Sequence, residues 1–176
     1  MRKSIILVLV LLLFSMSAFG KKASIQINVG AKSVYDGIGV GFFTGGENVF
    51  SIKKFLDKDN AIQAGLGWDI VGGVSLSADY LFNNFDMIKV NPGTVICYWG
   101  LGLQGGFSSY WNGNDNYGNR ISATYINFGL RVPFGISYIF HGVPVDITLQ
   151  LVPGFGFVNG GPSIWPTGGL GARYYF

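Results

Sequence analysis

Residues 168–176 read Gly168-Gly169-Leu170-Gly171-Ala172-Arg173-Tyr174-Tyr175-Phe176. Every second residue counted back from the end, Phe176, Tyr174, Ala172 and Leu170, is apolar or aromatic. The intervening set is Tyr175, Arg173, Gly171 and Gly169. A β-strand sends successive side chains to opposite faces, so this alternation is that of a strand with one apolar and one mixed face. Termini usually fray, yet this sequence carries its apolar pattern through to Phe176. A soluble sandwich strand and the closing strand of a barrel both fit these nine residues, and the rest of the chain has to separate them.

The N-terminus has the parts of an export signal. Arg2 and Lys3 form a positive start, Ile5 to Phe14 is an uncharged apolar run, and Ser15 to Gly20 supplies small residues for cleavage after Gly20. The run is shorter than the roughly 20 residues a transmembrane helix needs. No Cys follows it, which gives no lipoprotein anchor. The chain therefore divides into a signal peptide (1–20), a periplasmic lead-in (21–34) and a folded unit (35–176). The sequence has 12 Lys+Arg against 9 Asp+Glu. Loss of Arg2 and Lys3 brings the two nearly level, so the basic balance points to no nucleic-acid partner, and no nucleic-acid-binding motif is present. The single Cys97 excludes an internal disulfide and a Cys-based metal site.

Alternation recurs along the chain. Tyr35–Phe43 sets Gly37, Gly39 and Gly41 against Ile38, Val40 and Phe42. Val49–Leu56 sets Ser51, Lys53 and Phe55 against Phe50, Ile52 and Leu56. Ala61–Ile70 and Val74–Phe82 set Gln63, Gly65, Gly67, Asp69, Ser75, Ser77, Asp79 and Leu81 against a run of Ile, Leu, Ala, Trp and aromatic residues. Val95–Phe107 puts Gly100, Gly102, Gln104 and Gly106 on its mixed face. Ile121–Phe140 puts Asn127, Gly129, Arg131, Gly135 and Ser137 there, and Val145–Val152 puts Asp146, Thr148 and Gln150 there. Pro133 has no backbone N–H for a ladder, so a bulge or break is expected within 121–140. With the closing strand this predicts eight strands. The connections expected to be longer loops are 83–94, the polar 108–120 and the Gly/Pro-rich 155–167.

Eight strands in hairpin order make an all-β, antiparallel up-and-down barrel. Nine residues at ~3.3 Å rise and ~40° tilt cover roughly 23 Å, close to the ~25 Å apolar band of a membrane barrel. Glycine weakens a strand unless space is tight, and a small barrel lumen is tight. The Gly-rich polar face therefore fits inside and the large apolar residues outside, the reverse of a soluble lipocalin. With the N-terminus periplasmic, Trp68, Phe107, Tyr110 and Trp111 fall at the outer rim. Tyr80, Phe82, Trp99, Tyr138, Phe140, Tyr174 and Phe176 fall at the periplasmic rim. Together they form two aromatic girdles.

The chain resembles the small eight-stranded outer-membrane barrels of the OmpA transmembrane-domain and OmpX type, and especially an uncharacterised subgroup known from spirochaetes and other Gram-negative-type bacteria. The resemblance rests on Asp57-Lys58-Asp59-Asn60-Ala61-Ile62 running into Leu66-Gly67-Trp68, on Ala78-Asp79-Tyr80-Leu81-Phe82 and on Arg131-Val132-Pro133-Phe134-Gly135-Ile136-Ser137-Tyr138-Ile139-Phe140. It rests also on Val143-Pro144-Val145-Asp146-Ile147 and Gly171-Ala172-Arg173-Tyr174-Tyr175-Phe176. The first hairpin departs from the subgroup's Gly-Glu-Pro-Thr-Gly turn, reading Phe43-Thr44-Gly45-Gly46-Glu47, and OmpA's periplasmic peptidoglycan-binding domain has no counterpart here. The resemblance implies residence in the outer membrane of a Gram-negative-type bacterium, with outer-membrane lipid, periplasmic chaperones and the barrel assembly machinery as partners. It implies that Phe176 and Tyr174 form the assembly signal.

The chemistry expected is sparse. His141, the one histidine, sits in a Gly/Pro turn, and no Ser-His-Asp arrangement, calcium loop, phosphate loop or metal-spaced cluster is present, so no catalytic residue, cofactor or metal is assigned. The reading favoured is a monomeric structural barrel without enzymatic activity. The alternatives are a surface adhesin or ligand-binding barrel acting through 108–120 and 155–167, then a narrow channel or an outer-membrane enzyme. Inside an eight-stranded barrel charges have little bulk water and must be paired. The inward set puts Lys53, Arg131 and Arg173 against Asp69, Asp79 and Asp146. A polar plug of Arg131, Arg173, Asp79 and Asp146, joined by Lys53 and supported by Gln63, Gln104, Asn127 and Gln150, is therefore expected, with Arg131 and Asp146 energetically coupled. Asp69 is expected near the outer rim.

Overall fold

The alternation does what the pleat requires: each strand turns its greasy residues one way and its small or polar ones the other, and the sheet curls until it closes on itself. The computed structural model describes residues 34, 36–45, 50–68, 73–90, 93–114 and 120–176, and among these the side chains other than those of 85–89, 110–114 and 120–123. The strands are β1 (Ile38–Thr44), β2 (Phe50–Phe55), β3 (Asn60–Trp68), β4 (Val74–Val90), β5 (Gly93–Asn114), β6 (Arg120–Arg131), β7 (Phe134–Phe140), β8 (Val145–Val158) and β9 (Gly161–Tyr175). All pairings are antiparallel, and β1 pairs with β9, so the sheet has no first or last edge. β6 and β7 both lie between β5 and β8. They are one strand interrupted at Val132–Pro133, which makes a ring of eight. The interruption falls at the residue that cannot donate, and the Gly100 and Val132 amides donate instead to the carbonyls of Pro133 and Pro153, at 2.8 and 2.9 Å.

Three connections differ from expectation. Residues 83–94 are not a loop: β4 and β5 pair down to Val90↔Gly93, with a register shift between Asn84 and Ile88. Residues 108–120 are mostly strand, since β5 continues to Asn114 and β6 starts at Arg120. Residues 155–167 are a hairpin, with pairing up to Val158↔Gly161. Its turn is Asn159-Gly160, with φ of 50° and 82°, the doubly left-handed pair of a type I′ turn that matches strand twist. Pro153 lies opposite Pro166. The Pro153 carbonyl accepts from Val132 on the far side, so the two prolines face each other where the β8–β9 ladder needs no donor. Gly and Pro that read as loop are thus tolerated inside a hairpin.

The start of β1, Phe176, the turn at 56–59, the Val90–Gly93 hairpin and the turn at 141–144 share one end, called the lower end here. The Asn159-Gly160 turn and the tops of β1–β6 share the upper end. In the 56–59 turn the Asp57 carboxylate accepts from the Asp59 amide at 2.7 Å and from Asn60 Nδ2 at 3.0 Å. The Asn60 bond, then the Asp59 bond, hold its pKa below the usual carboxylate value.

Outside, the ring is apolar: Phe42, Leu76, Leu103, Ile126, Phe128, Leu149, Leu151 and Leu170 are all exposed. Aromatic residues gather near the lower end, where Tyr80, Phe82 and Trp99 form a chain of contacts and Tyr138–Phe140 and Tyr174–Phe176 meet edge to face. Trp68 and Phe107 are exposed near the upper end. The Tyr110 and Trp111 side chains, the signal peptide and residues 21–33 of the lead-in lie outside the described residues.

Candidate functional site

The interior is built in rows, because residues at matching register positions on neighbouring strands sit side by side. One row runs Gly39–Lys53–Gln63–Asp79–Gly102–Arg131 across six strand positions. Asp79 and Arg131 are thus two strands apart with Gly102 between them. A Cβ at Gly102 would collide with the Asp79 carboxylate, so the glycine is what lets the acid reach across to the guanidinium. Arg131 Nε lies 3.0 Å from Asp79 Oδ1. That contact is charged but poorly aligned, and neither atom counts as hydrogen-bonded. Arg131 Nη1 does donate to Gln104 Oε1 at 3.1 Å.

The second ion pair is better formed. Asp146 and Arg173 face each other directly across β8 and β9. Arg173 Nε donates to both carboxylate oxygens at 3.1 and 3.2 Å, Nη1 to Gln63 Oε1 at 2.6 Å, and Nη2 to Thr148 Oγ1 at 2.7 Å. The Tyr175 hydroxyl donates to Asp146 Oδ2 at 2.7 Å. Gln63 links the pairs: while its oxygen accepts from Arg173, its nitrogen donates to Gln150 at 3.2 Å and to Asp79 at 3.4 Å. Tyr98 adds a bond to Gln150 Oε1 at 2.7 Å.

Of the residues the sequence pointed to, Asp79, Arg131, Asp146, Arg173, Gln63, Gln104 and Gln150 are therefore brought together in one buried cluster. The coupling expected between Arg131 and Asp146 is not a contact: each has a different ionic partner. Lys53 is fully buried but joins no hydrogen bond; its ammonium sits 4.7 Å from the ring centres of both Phe55 and Tyr98. Asn127 stands apart nearer the upper end, its Oδ1 buried without a protein partner. Asp69 lies outside the described residues. Of the three charges of each sign expected inside, the described interior holds all three cations and two of the carboxylates, the third being Asp69.

Two features were missed. Tyr98, Tyr175, Ser51, Ser137 and Thr148 belong to the network, and their parity within their strands was the available signal. Below the network lies a second, apolar layer of Val34, Phe55, Ala61, Leu81, Ile96, Tyr98, Ile139 and Tyr175. Phe55 and Leu81, apolar residues on an otherwise polar face, were its trace in the sequence. His141 sits in the turn at 141–144, its Nε2 3.0 Å from Thr94 Oγ1. Cys97 lies on the outer face, level with Asn84 and Ile136 of its neighbours, and is largely covered.

The arrangement immobilises charge within a closed wall. Among solved structures, the fold is similar to that of the N-terminal β-barrel domain of OprF from Pseudomonas aeruginosa, with a TM-score of 0.57 and 20% sequence identity, covering 80% of this chain and 98% of that one. No family model and no curated protein matches the chain. At this identity the likeness is one of fold.

Proposed function

We propose that this protein is a monomeric structural barrel of a Gram-negative-type outer membrane, with its lower end toward the periplasm and its interior plugged rather than conducting. The observation that carries the reading is the inversion of the usual burial pattern. Arg131, Arg173, Lys53, Asp79 and Asp146 are buried, while a continuous wall of Leu, Ile, Phe and Trp is exposed. Water would penalise that surface, whereas hydrocarbon solvates it, and a closed ring leaves no backbone group unpaired at an edge. The aromatic clusters at the lower end fit an interfacial girdle. In this reading Tyr174 and Phe176, exposed at the end of β9, are presented to the assembly machinery after delivery by periplasmic chaperones, and the barrel carries out no catalysis.

The same geometry supports the plug. Two ion pairs bridged by Gln63 span the lumen above an apolar layer, so an ion would have to break both. The test combines location and transport. The protein should fractionate with outer membranes and migrate differently on gels before and after heating. In planar bilayers the purified barrel should show no steady large conductance. Recovery as a soluble periplasmic protein would overturn the membrane reading, and a steady open channel would overturn the plug.

A further inference from the structure

Above Gln104 and Arg131 the interior opens into a cavity of about 620 Å³ at the upper end, lined in part by Gly67, Ser75, Gln104, Ser108, Asn127 and Thr167. That size falls within the roughly 300–1,000 Å³ of small-molecule sites. No described residue of its lining carries a formal charge. Its floor is Gln104, whose oxygen already accepts from Arg131, and the Arg131 charge is opposed by Asp79. We propose that this cavity is a binding site for a neutral sugar of one or two rings.

Three features select that chemistry. The polar side chains of the lining are hydroxyls and amides, set beside Trp68, Val74, Phe107, Leu151 and Pro166, and each such polar group can both donate and accept, as sugar hydroxyls do. A charged solute would lose hydration on entering and find no opposite charge among the described lining residues, at a cost that a neutral polyol does not meet. Glycines at 67, 73 and 168 leave parts of the wall without side chains, so a ring can approach the backbone closely. Asn127 also lines the cavity, and its side-chain amide can contribute one hydrogen bond to a sugar hydroxyl.

The proposal rests on the reading above only for which side the cavity faces; binding itself is testable without a membrane. The full chain, isotope-labelled and refolded in detergent micelles, would be titrated with glucose, maltose, maltohexaose, glucuronate and glucosamine while amide NMR signals are followed. Glucose or maltose should give saturable shifts at Gly67, Ser75 and Ser108, and the two charged sugars should bind more weakly. Maltohexaose binding as well as maltose would identify the end of a longer glycan as the source, and its exclusion would identify free sugar. Asn127→Leu should weaken binding by about tenfold, the scale of one hydrogen bond. Ser108→Trp should abolish it by filling the space, with both variants keeping the heat-dependent gel shift of the folded barrel. Shifts that never saturate with any sugar, binding of glucuronate as strong as that of glucose, or an unchanged titration in Ser108→Trp would each overturn the site. Those results would leave the outer-membrane assignment standing, since fractionation and conductance test it separately.

Discussion

Arg173 and Lys53 are both fully buried cations in one lumen, but their surroundings differ. Arg173 has an aligned carboxylate and further partners in Gln63 and Thr148. Removing either it or Asp146 strands the other charge, so Arg173→Ala and Asp146→Ala should each cost about 3–5 kcal/mol in urea unfolding from lipid vesicles. The double variant should lose clearly less than the two losses combined. Arg131→Ala with Asp146→Ala is the contrasting cycle. These residues are joined only through Asp79, Gln63 and Arg173, so their losses should depart from additivity by clearly less than those of the directly paired Arg173 and Asp146. Strong coupling there would mean the ionic partners are exchanged. Lys53 has no hydrogen bond to lose, only the faces of Phe55 and Tyr98. Lys53→Met keeps the apolar stem and drops a charge buried without a hydrogen-bond acceptor, so stability should be unchanged or higher by up to about 2 kcal/mol. A loss as large as that of Arg173→Ala would show that Lys53 is a structural member of the network.

At the scale of elements, the β8–β9 hairpin depends on a turn that only certain residues make. Gly160 has φ of 82°, with open space where a side chain would go, so the penalty for replacing it is conformational rather than a clash. Gly160→Val should destabilise the barrel by about 1–2 kcal/mol, the price of a left-handed L-residue, and Gly160→Asn should largely restore it. Equal stability of all three in urea titration would show that the turn relaxes freely. This hairpin also marks what composition conceals. Period-two alternation located the strands and their inner and outer faces, because side-chain parity is local, and the missing N–H of Pro133 located the interruption. The segments 83–94, 108–120 and 155–167 read as loops because Gly, Pro and Asn recur in them, yet Pro153 faces Pro166 where no donor is needed. Whether such residues sit in a turn or a ladder depends on what lies across from them, which no single strand records. Register is hidden for the same reason. Parity put Asp79, Arg131, Asp146 and Arg173 inside, but only the stagger of β4 against β5 and β6 decides that Asp79 meets Arg131.

For the whole molecule, the proposed plug consists of two layers of different chemistry. The ion pairs and glutamines form one, and the apolar side chains from Val34 to Tyr175 form the other. Breaking one ion pair should therefore lower stability more readily than it opens a path. Asp79→Ala is expected to remain non-conducting in planar bilayers while losing urea resistance, and a steady conductance in this variant would place the whole barrier in the polar layer. The apolar layer was legible only in fragments, since Phe55, Leu81 and Ile139 come from three separate strands and become a layer only when the ring closes.

The pairing of β1 with β9 brings the two ends of the folded unit together: the Phe176 amide donates to the Ile38 carbonyl at 3.2 Å. The closed wall has no intrinsic starting strand, so a circularly permuted chain, with Phe176 joined to residue 36 through a short glycine linker and new ends opened between Asn159 and Gly160, should refold in detergent to the same barrel. In cells it should fail to insert, because Tyr174 and Phe176 would then lie mid-chain. Permutation thus separates what makes the ring from what delivers it, and normal insertion of the permuted chain would show that the C-terminal aromatics are not read as an address.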